Sequence, residues 1–392
     1  MTKPRIAIVV QRYGAEVNGG AEAAARSIAE HLTSVVDVHV ITTCAVNYTT
    51  WENVYSPGES YLNNVHIHRF LVDKARNWTQ SQKWTGRFLL RDRTLDEEID
   101  WIRNEGPFST PLIQFIKQSE SRFDVFIFFT YLYATTFFGL PLVAEKSVLV
   151  TAAHDEPFLY MEAYRSLLQM PRQIIYLTQA EQELVTRVAG NGRIPSDVIA
   201  LGLEAPTDIS PERFREKYGI QGDFLLYSGR ISEAKNIPEL LDYFLRYRAS
   251  RSEPLKLVLM GQAHIPLPTH PDIIPLGFVS EQDKFDGLSA ATVFVLPSLF
   301  ESLSIIILEA WLMETPVLVN GRCQVTKQQC RYSNGGLHYT SYDEFEALLS
   351  TLLRTPQLRQ HLGKQGQQFV HQHYNWETTL AKYQALFTKM LA

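Results

Sequence analysis

Two carboxylates, Glu301 and Glu309, flank the apolar run Ser302-Leu-Ser-Ile-Ile-Ile-Leu308. A helix rises about 1.5 Å per residue, so a helical run would hold them roughly 12 Å apart. A retaining glycosidase needs its two carboxyls about 5 Å apart, so this is not such a pair. The spacing fits an extended nucleotide diphosphate sugar, one carboxylate on sugar hydroxyls and the other on ribose hydroxyls. Ser302 and Ser304 suit the first turn of the helix, where unpaired N–H groups and the dipole attract an anion. A second constellation, Arg230 and Lys235, stands five residues apart in Gly229-Arg-Ile-Ser-Glu-Ala-Lys-Asn236. A planar guanidinium fork and a compact ammonium on one loop can both reach a diphosphate and neutralise it as it departs.

Weaker signals lie elsewhere. Gly19-Gly20 precedes a helical pattern and allows close backbone approach to a ligand, without the full dinucleotide fingerprint G-x-G-x-x-G. His154 ends the strand-like run Ser147–Thr151 in Thr151-Ala-Ala-His-Asp155. The remaining histidines give no metal constellation, with His66-x-His68 and His371-x-His373 expected on strand and helix surfaces. No Asp-x-Asp triad occurs to bridge a diphosphate through Mg²⁺.

The elements that must position these residues are short β-rich runs alternating with amphipathic segments. Strands are expected at Arg5–Val10, Val36–Thr42, Val65–Phe70, Val125–Phe129, Ser147–Thr151, Gln173–Leu177 and Asp197–Ala200, with a helix over Ala21–Leu32. After a polar, proline-bearing linker near Glu204 the pattern restarts with Phe224–Ser228, Lys256–Met260, Ile273–Pro275, Thr292–Leu296 and Pro316–Val319. Strands separated by helices imply right-handed βαβ units. The expected fold class is α/β, with two Rossmann-like, doubly wound parallel-sheet domains facing across a cleft. The domains are residues 1–205 and 206–373, with a C-terminal helix over 374–392 crossing back to the first. Ligands of such sheets bind beyond the carboxyl ends of the strands.

Composition is consistent with this. Hydrophobic residues make up 45% of the 392, enough for large cores, and 42 acidic against 37 basic residues argue against a nucleic-acid partner. Three cysteines make no disulfide framework, and five apolar residues after Lys3 and Arg5 are too few for a signal peptide. A cytoplasmic setting is expected. The uncharged stretch Val125–Ala144 is long enough to cross a bilayer, but Gly139 and Pro141 interrupt it, so a buried strand and a core helix over Leu132–Val143 are expected.

On these motifs the sequence resembles the retaining, metal-independent glycosyltransferases of the GT-B fold, family 4, of the polysaccharide-biosynthesis type. Glu301 and Glu309 match their E-x7-E, Ala310-Trp and Thr315-Pro-Val match the residues that follow it, and Arg230…Lys235-Asn236 matches their G-R-x4-K-[GN]. Glu301-Ser-Leu-Ser304 stands where many members have E-G-F-G. The resemblance implies His154, Arg230, Lys235 and Glu301 as catalytic residues, with His154 bonding the transferred sugar. It implies donor contacts from Gly19, Gly20, Phe278, Val279, Ser302, Leu303, Ser304 and Glu309. Gly277-Phe-Val-Ser280 would hold the nucleotide base, although Phe278 reads equally well as core.

The implied reaction moves a hexose from a nucleotide diphosphate sugar, UDP-glucose first and GDP-mannose next, to a saccharide or lipid-linked saccharide, with no cofactor and no metal. A non-catalytic nucleotide-sugar-binding subunit and a GT-B epimerase are the alternatives. Tyr13, Trp51, Tyr131 and Tyr133 are expected as stacking surfaces for acceptor sugars. Six basic residues between Val72 and Arg93 (Lys74, Arg76, Lys83, Arg87, Arg91, Arg93), interleaved with Trp78, Trp84 and Phe88, offer a weak peripheral contact with an anionic membrane.

Overall fold

The computed structural model describes residues 3–17 and 19–392, except the side chain of Arg87. The chain forms two compact units. The first runs to Leu201 and takes in Trp376–Ala392; the second is Gly202–Asn375.

Unit 1 is built from β1 (Arg5–Val9), α1 (Gly20–Leu32), β2 (Asp37–Thr43), β3 (Gly58–Leu62), β4 (Val65–Phe70), α2 (Trp78–Leu89), α3 (Leu95–Glu105), α4 (Thr110–Gln118) and β5 (Val125–Phe129). It continues with α5 (Ala134–Gly139), β6 (Ser147–Val150), α6 (Glu162–Leu167), β7 (Gln173–Tyr176), α7 (Gln179–Ala189) and β8 (Ser196–Val198). The sheet order is β3-β4-β2-β1-β5-β6-β7-β8. Every pairing is parallel except β3 with β4. β5 reads VFIFF and is buried throughout, as a parallel strand covered on both faces must be. β3 (GESYL) is polar and exposed at the edge, which is why no apolar run announced it.

The uncharged stretch after β5 breaks where its glycine and proline stand. α5 stops at Gly139, and a 3₁₀ segment, Leu140–Lys146, carries Pro141 and a non-helical Val143. The single core helix expected over Leu132–Val143 is therefore two short pieces, because proline has no N–H to continue the ladder. Among the described residues no helix is long and apolar enough to cross a membrane.

Unit 2 comprises α8 (Pro211–Tyr218), β9 (Phe224–Ser228), α9 (Ile237–Ala249), β10 (Lys256–Met260), β11 (Ile273–Gly277), α10 (Glu281–Ala290), β12 (Val293–Leu296) and α11 (Ile305–Leu312). It closes with β13 (Val317–Asn320), α12 (Gln324–Ser333), β14 (Gly336–Tyr339), α13 (Tyr342–Arg354) and α14 (Pro356–His373). Its six strands are all parallel, in the order β11-β10-β9-β12-β13-β14. β14 is a short, half-buried edge strand that the hydrophobic pattern did not signal. The last helix, α15 (Trp376–Leu391), packs on unit 1, where Trp376 stacks on His31 of α1 with ring centroids 3.5 Å apart. Cys44, Cys323 and Cys330 are buried free thiols.

Candidate functional site

In unit 2 the strand order reverses between β9 and β12, and open α/β sheets bind their ligands beyond the carboxyl ends of the strands at such a reversal. Arg230 and Lys235 follow β9, and Glu301 to Ser304 follow β12. Lys235 Nζ lies 2.7 Å from Glu301 Oε1. Arg230 is exposed beside them, its carbonyl accepting a 2.8 Å bond from the buried Tyr227 hydroxyl. The β9 loop is close to the backbone of its neighbour: a Cβ on Gly261, after β10, would collide with the Gly229 carbonyl, and both glycines have positive φ (129° and 147°).

The loop is held from the other side by Asn236, the last residue of the motif, and by Glu239, Asn320 and Arg322, to which no motif pointed. Asn236, left-handed at φ 57°, donates to Glu239 Oε1 (3.0 Å) and to the Pro297 carbonyl (3.1 Å). Asn320 donates to the same Glu239 oxygen (2.8 Å), and Arg322 pairs with Glu239. The loops after β9, β12 and β13 are thereby cross-linked.

α11 begins at Ile305, so Glu301 precedes the helix and the expected helical spacing of the two glutamates does not apply to it. Ser304 is the N-cap without a side-chain cap bond. The buried hydroxyls of Ser298 and Ser304 have no hydrogen-bond partner among the described residues. Ser302, Leu303 and Ser304 have buried side chains, so Leu303 can serve a ligand only through its backbone. Glu309 sits within α11 and is buried against Lys284 of α10, Nζ to Oε1 2.7 Å, with Lys284 also 2.9 Å from Glu281. Burial pushes the Glu309 carboxyl up and Lys284 pulls it back; the ammonium itself is raised, the two glutamates outweighing its burial. Nothing in the sequence pattern pointed to Lys284. After Gly277, at φ 70°, Phe278 is 76% exposed, which removes the core reading; Val279 is half-buried.

In unit 1, Gly19 and Gly20 follow β1 and lead into α1; Asn18 lies outside the described residues. A Cβ on Gly19 would collide with the Glu22 carboxylate, whereas one on Gly20 meets open space. Glu22, buried, accepts from Gln11 Nε2 (2.8 Å) and Arg12 Nε (2.9 Å). His154, about one-third exposed, has Nδ1 3.7 Å from Glu156 Oε1, which also accepts from the Tyr131 hydroxyl (3.1 Å). The loop before it is anchored by Glu181. This carboxylate accepts from Thr151 Oγ1 (2.6 Å), Ala153 N (2.5 Å) and Leu177 N (2.6 Å), and burial pushes it up to about 7. Thr130 and Ala152, at the carboxyl ends of β5 and β6, have φ of 64° and 45°, conformations that cost energy for residues with a Cβ.

Tyr13 and Tyr131, expected as stacking surfaces, are both buried, on the segments that follow β1 and β5, and cannot stack on a sugar. Trp51 is also buried, donating to the Glu105 carbonyl (2.7 Å), but it borders a unit 1 cavity of about 640 Å³ that Lys74, Arg76, Trp84, Arg103 and Phe108 also line. Within the basic insertion Phe88 is buried on Trp101, and Arg76 and Arg93 turn inward to Glu105 and Glu98, so the segment is not a free amphipathic face. The histidines also depart from expectation: His68 is buried rather than at a strand surface, and His39, His66 and His68 each bring a ring nitrogen within 4.8 Å of the others.

The family model of glycosyl transferases group 1 matches residues 210–369, most of unit 2. The chain is 27% identical over 187 residues to alpha-monoglucosyldiacylglycerol synthase of Streptococcus pneumoniae, and this match spans 43% of the chain and 42% of that protein. Its fold is similar to that of sucrose-phosphate synthase from Thermosynechococcus elongatus, with TM-score 0.73 and 15% identity over 99% of both chains. It is also similar to Anabaena Alr3699/HepE, solved with UDP and glucose, with TM-score 0.70 and 15% identity over 98% of this chain and 100% of that one. The fold is that of the GT-B glycosyltransferases.

Proposed function

We propose that the protein is a retaining glycosyltransferase of family 4 that moves a hexose from a nucleotide diphosphate sugar to a saccharide or lipid-linked saccharide in polysaccharide assembly. UDP-glucose is the first donor to test, in line with the UDP and glucose bound by Alr3699/HepE. The observation that carries this reading is the meeting of Lys235 with Glu301 beside Arg230, where the sheet order reverses and α11 begins. Arg230, Lys235 and the N–H groups opening α11 take the diphosphate, with the Ser304 hydroxyl as a further donor. Glu301 holds sugar hydroxyls, Glu309 ribose hydroxyls and the exposed Phe278 the base. Gly19, Gly20 and His154 are assigned to the transferred sugar and its surroundings.

As the glycosidic bond breaks, negative charge grows on the leaving phosphate, and two fixed cations stabilise it there. The acceptor then attacks the oxocarbenium-like sugar on the same face, and a phosphate oxygen takes its proton. No step requires a metal. The unit 1 cavity, with its aromatic and basic lining, suits the acceptor. A lipid-linked acceptor would bring the exposed Trp78, Trp84 and Leu90 and nearby Lys74 and Lys83 to a membrane surface.

The decisive experiment incubates the protein with UDP-glucose and candidate acceptors, measuring UDP release and the product's anomeric configuration. Acceptor-dependent release with retained configuration is expected. An inverted product, or donor conversion without acceptor, would replace this reading.

A further inference from the structure

Three histidines that the proposed reaction leaves unused meet on one face of the unit 1 sheet, and strand register is the reason. His66 and His68 are two residues apart on β4 and therefore share a face. Parallel pairing sets His39 of β2 opposite His66, and antiparallel pairing sets Glu59 of β3 opposite His68. His39 and His68 are buried and His66 is half-buried.

The outward nitrogens fix the protons. His39 Nε2 lies 3.4 Å from Asp37 Oδ2, His68 Nδ1 3.4 Å from Glu59 Oε1, and His66 Nε2 3.1 Å from Glu59 Oε2. An ionised carboxylate only accepts, so it favours the proton on each ring's outward nitrogen. With the protons there, His39 Nδ1 and His68 Nε2, 3.0 Å apart, turn their lone pairs toward one another, where a metal ion can take up both. Neutral imidazoles whose outer N–H groups donate to carboxylates are the form in which histidine binds a metal.

We propose that His39, His66 and His68 bind one divalent transition-metal ion of the zinc class through their inward ring nitrogens. Three imidazoles suit Zn²⁺, Ni²⁺ or Cu²⁺ rather than Mg²⁺ or Ca²⁺. With bonds of about 2.0–2.1 Å, nitrogens around tetrahedral zinc lie roughly 3.4 Å apart, within a few tenths of an ångström of the His39–His68 separation. Tyr61 stacks on His66 at 4.5 Å, and Phe115 and Phe123 lie at 5.0 and 5.1 Å from His68 and His39, walling the rings in. Nearby charges cancel, Asp37 and Glu59 against Arg5 and Arg122, so affinity rests on the nitrogens. His39 and His66 lie toward the amino ends of their strands, opposite the edge assigned to the chemistry. The ion's role is to clip β2 to β4.

The test titrates metal-stripped, full-length protein with Zn²⁺ against a chromogenic chelator, and with Co²⁺ by its visible d–d absorption. One equivalent, a Co²⁺ band and a raised Tm are expected. His66→Ala should lose the equivalent, and Glu59→Gln, at an exposed carboxylate, should weaken it about 10–100-fold. A His371→Ala/His373→Ala double variant should keep it. Absence of a bound equivalent in folded wild type, or binding unchanged in Glu59→Gln and His66→Ala, overturns the proposal. If circular dichroism shows His66→Ala unfolded, the wild-type stoichiometry and Glu59→Gln decide.

Discussion

The Lys235 ammonium and the Glu301 carboxylate, 66 residues apart in sequence, form a 2.7 Å ion pair that joins the loop after β9 to the loop after β12. Lys235 is one-third exposed and Glu301 largely covered, so the lysine keeps a solvent-facing side. The proposed donor site uses both charges: the ammonium for phosphate, the carboxylate for sugar hydroxyls.

If Arg230 and Lys235 stabilise the leaving diphosphate, changing either to Ala lowers kcat by on the order of 10²-fold or more. Steady-state kinetics with saturating donor reads this out. Wild-type turnover in both variants would remove the diphosphate role.

Phe278→Ala tests the base contact. The side chain is exposed, so Tm should not move. Stacking of a base on an aromatic ring is worth about 1–3 kcal/mol, so UDP should bind roughly 5- to 150-fold more weakly while inorganic pyrophosphate binds as before. Calorimetry showing unchanged UDP affinity would refute it.

Glu309→Ala should weaken nucleotide binding more than it slows the bound complex, because ribose lies away from the breaking bond. It also leaves Lys284 with Glu281 alone, at a stability cost on the order of 1–3 kcal/mol. Glu309→Gln keeps an acceptor for Lys284 and should recover most of the stability. A fall in kcat with Kd unchanged would contradict the ribose assignment.

Glu181 gives a pH prediction. Its folded value, about 7, lies above the ordinary 4.5. Its protonated form is therefore favoured by folding, and its stabilising contribution is complete below about pH 4.5 and lost as pH rises through about 7. Denaturant unfolding from pH 4.5 to 8 should show wild type losing stability relative to Glu181→Gln as pH rises. Parallel curves for the two proteins would exclude this role.

Chelation separates the two sites. EDTA should leave turnover nearly intact, since the donor chemistry proposed needs no metal, while lowering the Tm that Zn²⁺ raises. Complete loss of activity, restored by Mg²⁺, would reinstate a metal-bridged diphosphate.

The motif residues of unit 2 could be picked out in the chain because each set is local: Gly229 to Asn236 lie on the loop after β9, and Glu301 to Glu309 on the loop after β12 and its helix. Their spacing did not give the geometry, since Glu301 precedes α11 and meets Lys235 from another loop. The buried parallel strands were equally plain, since a strand covered on both faces must be a continuous apolar run, as Val125–Phe129 is. Edge strands escaped for the converse reason: Gly58–Leu62 faces solvent and Gly336–Tyr339 is short and half-buried, so neither needs that run. Only tertiary structure decided which partners neutralise the site's charges. Lys284 reaches Glu309 from another helix, Glu181 reaches Thr151 from beyond the next strand, and His39 reaches His68 through the pairing of β2 with β4. These contacts join residues 25 to 30 positions apart. Sheet register and helix packing set such distances, and no spacing along the chain encodes them.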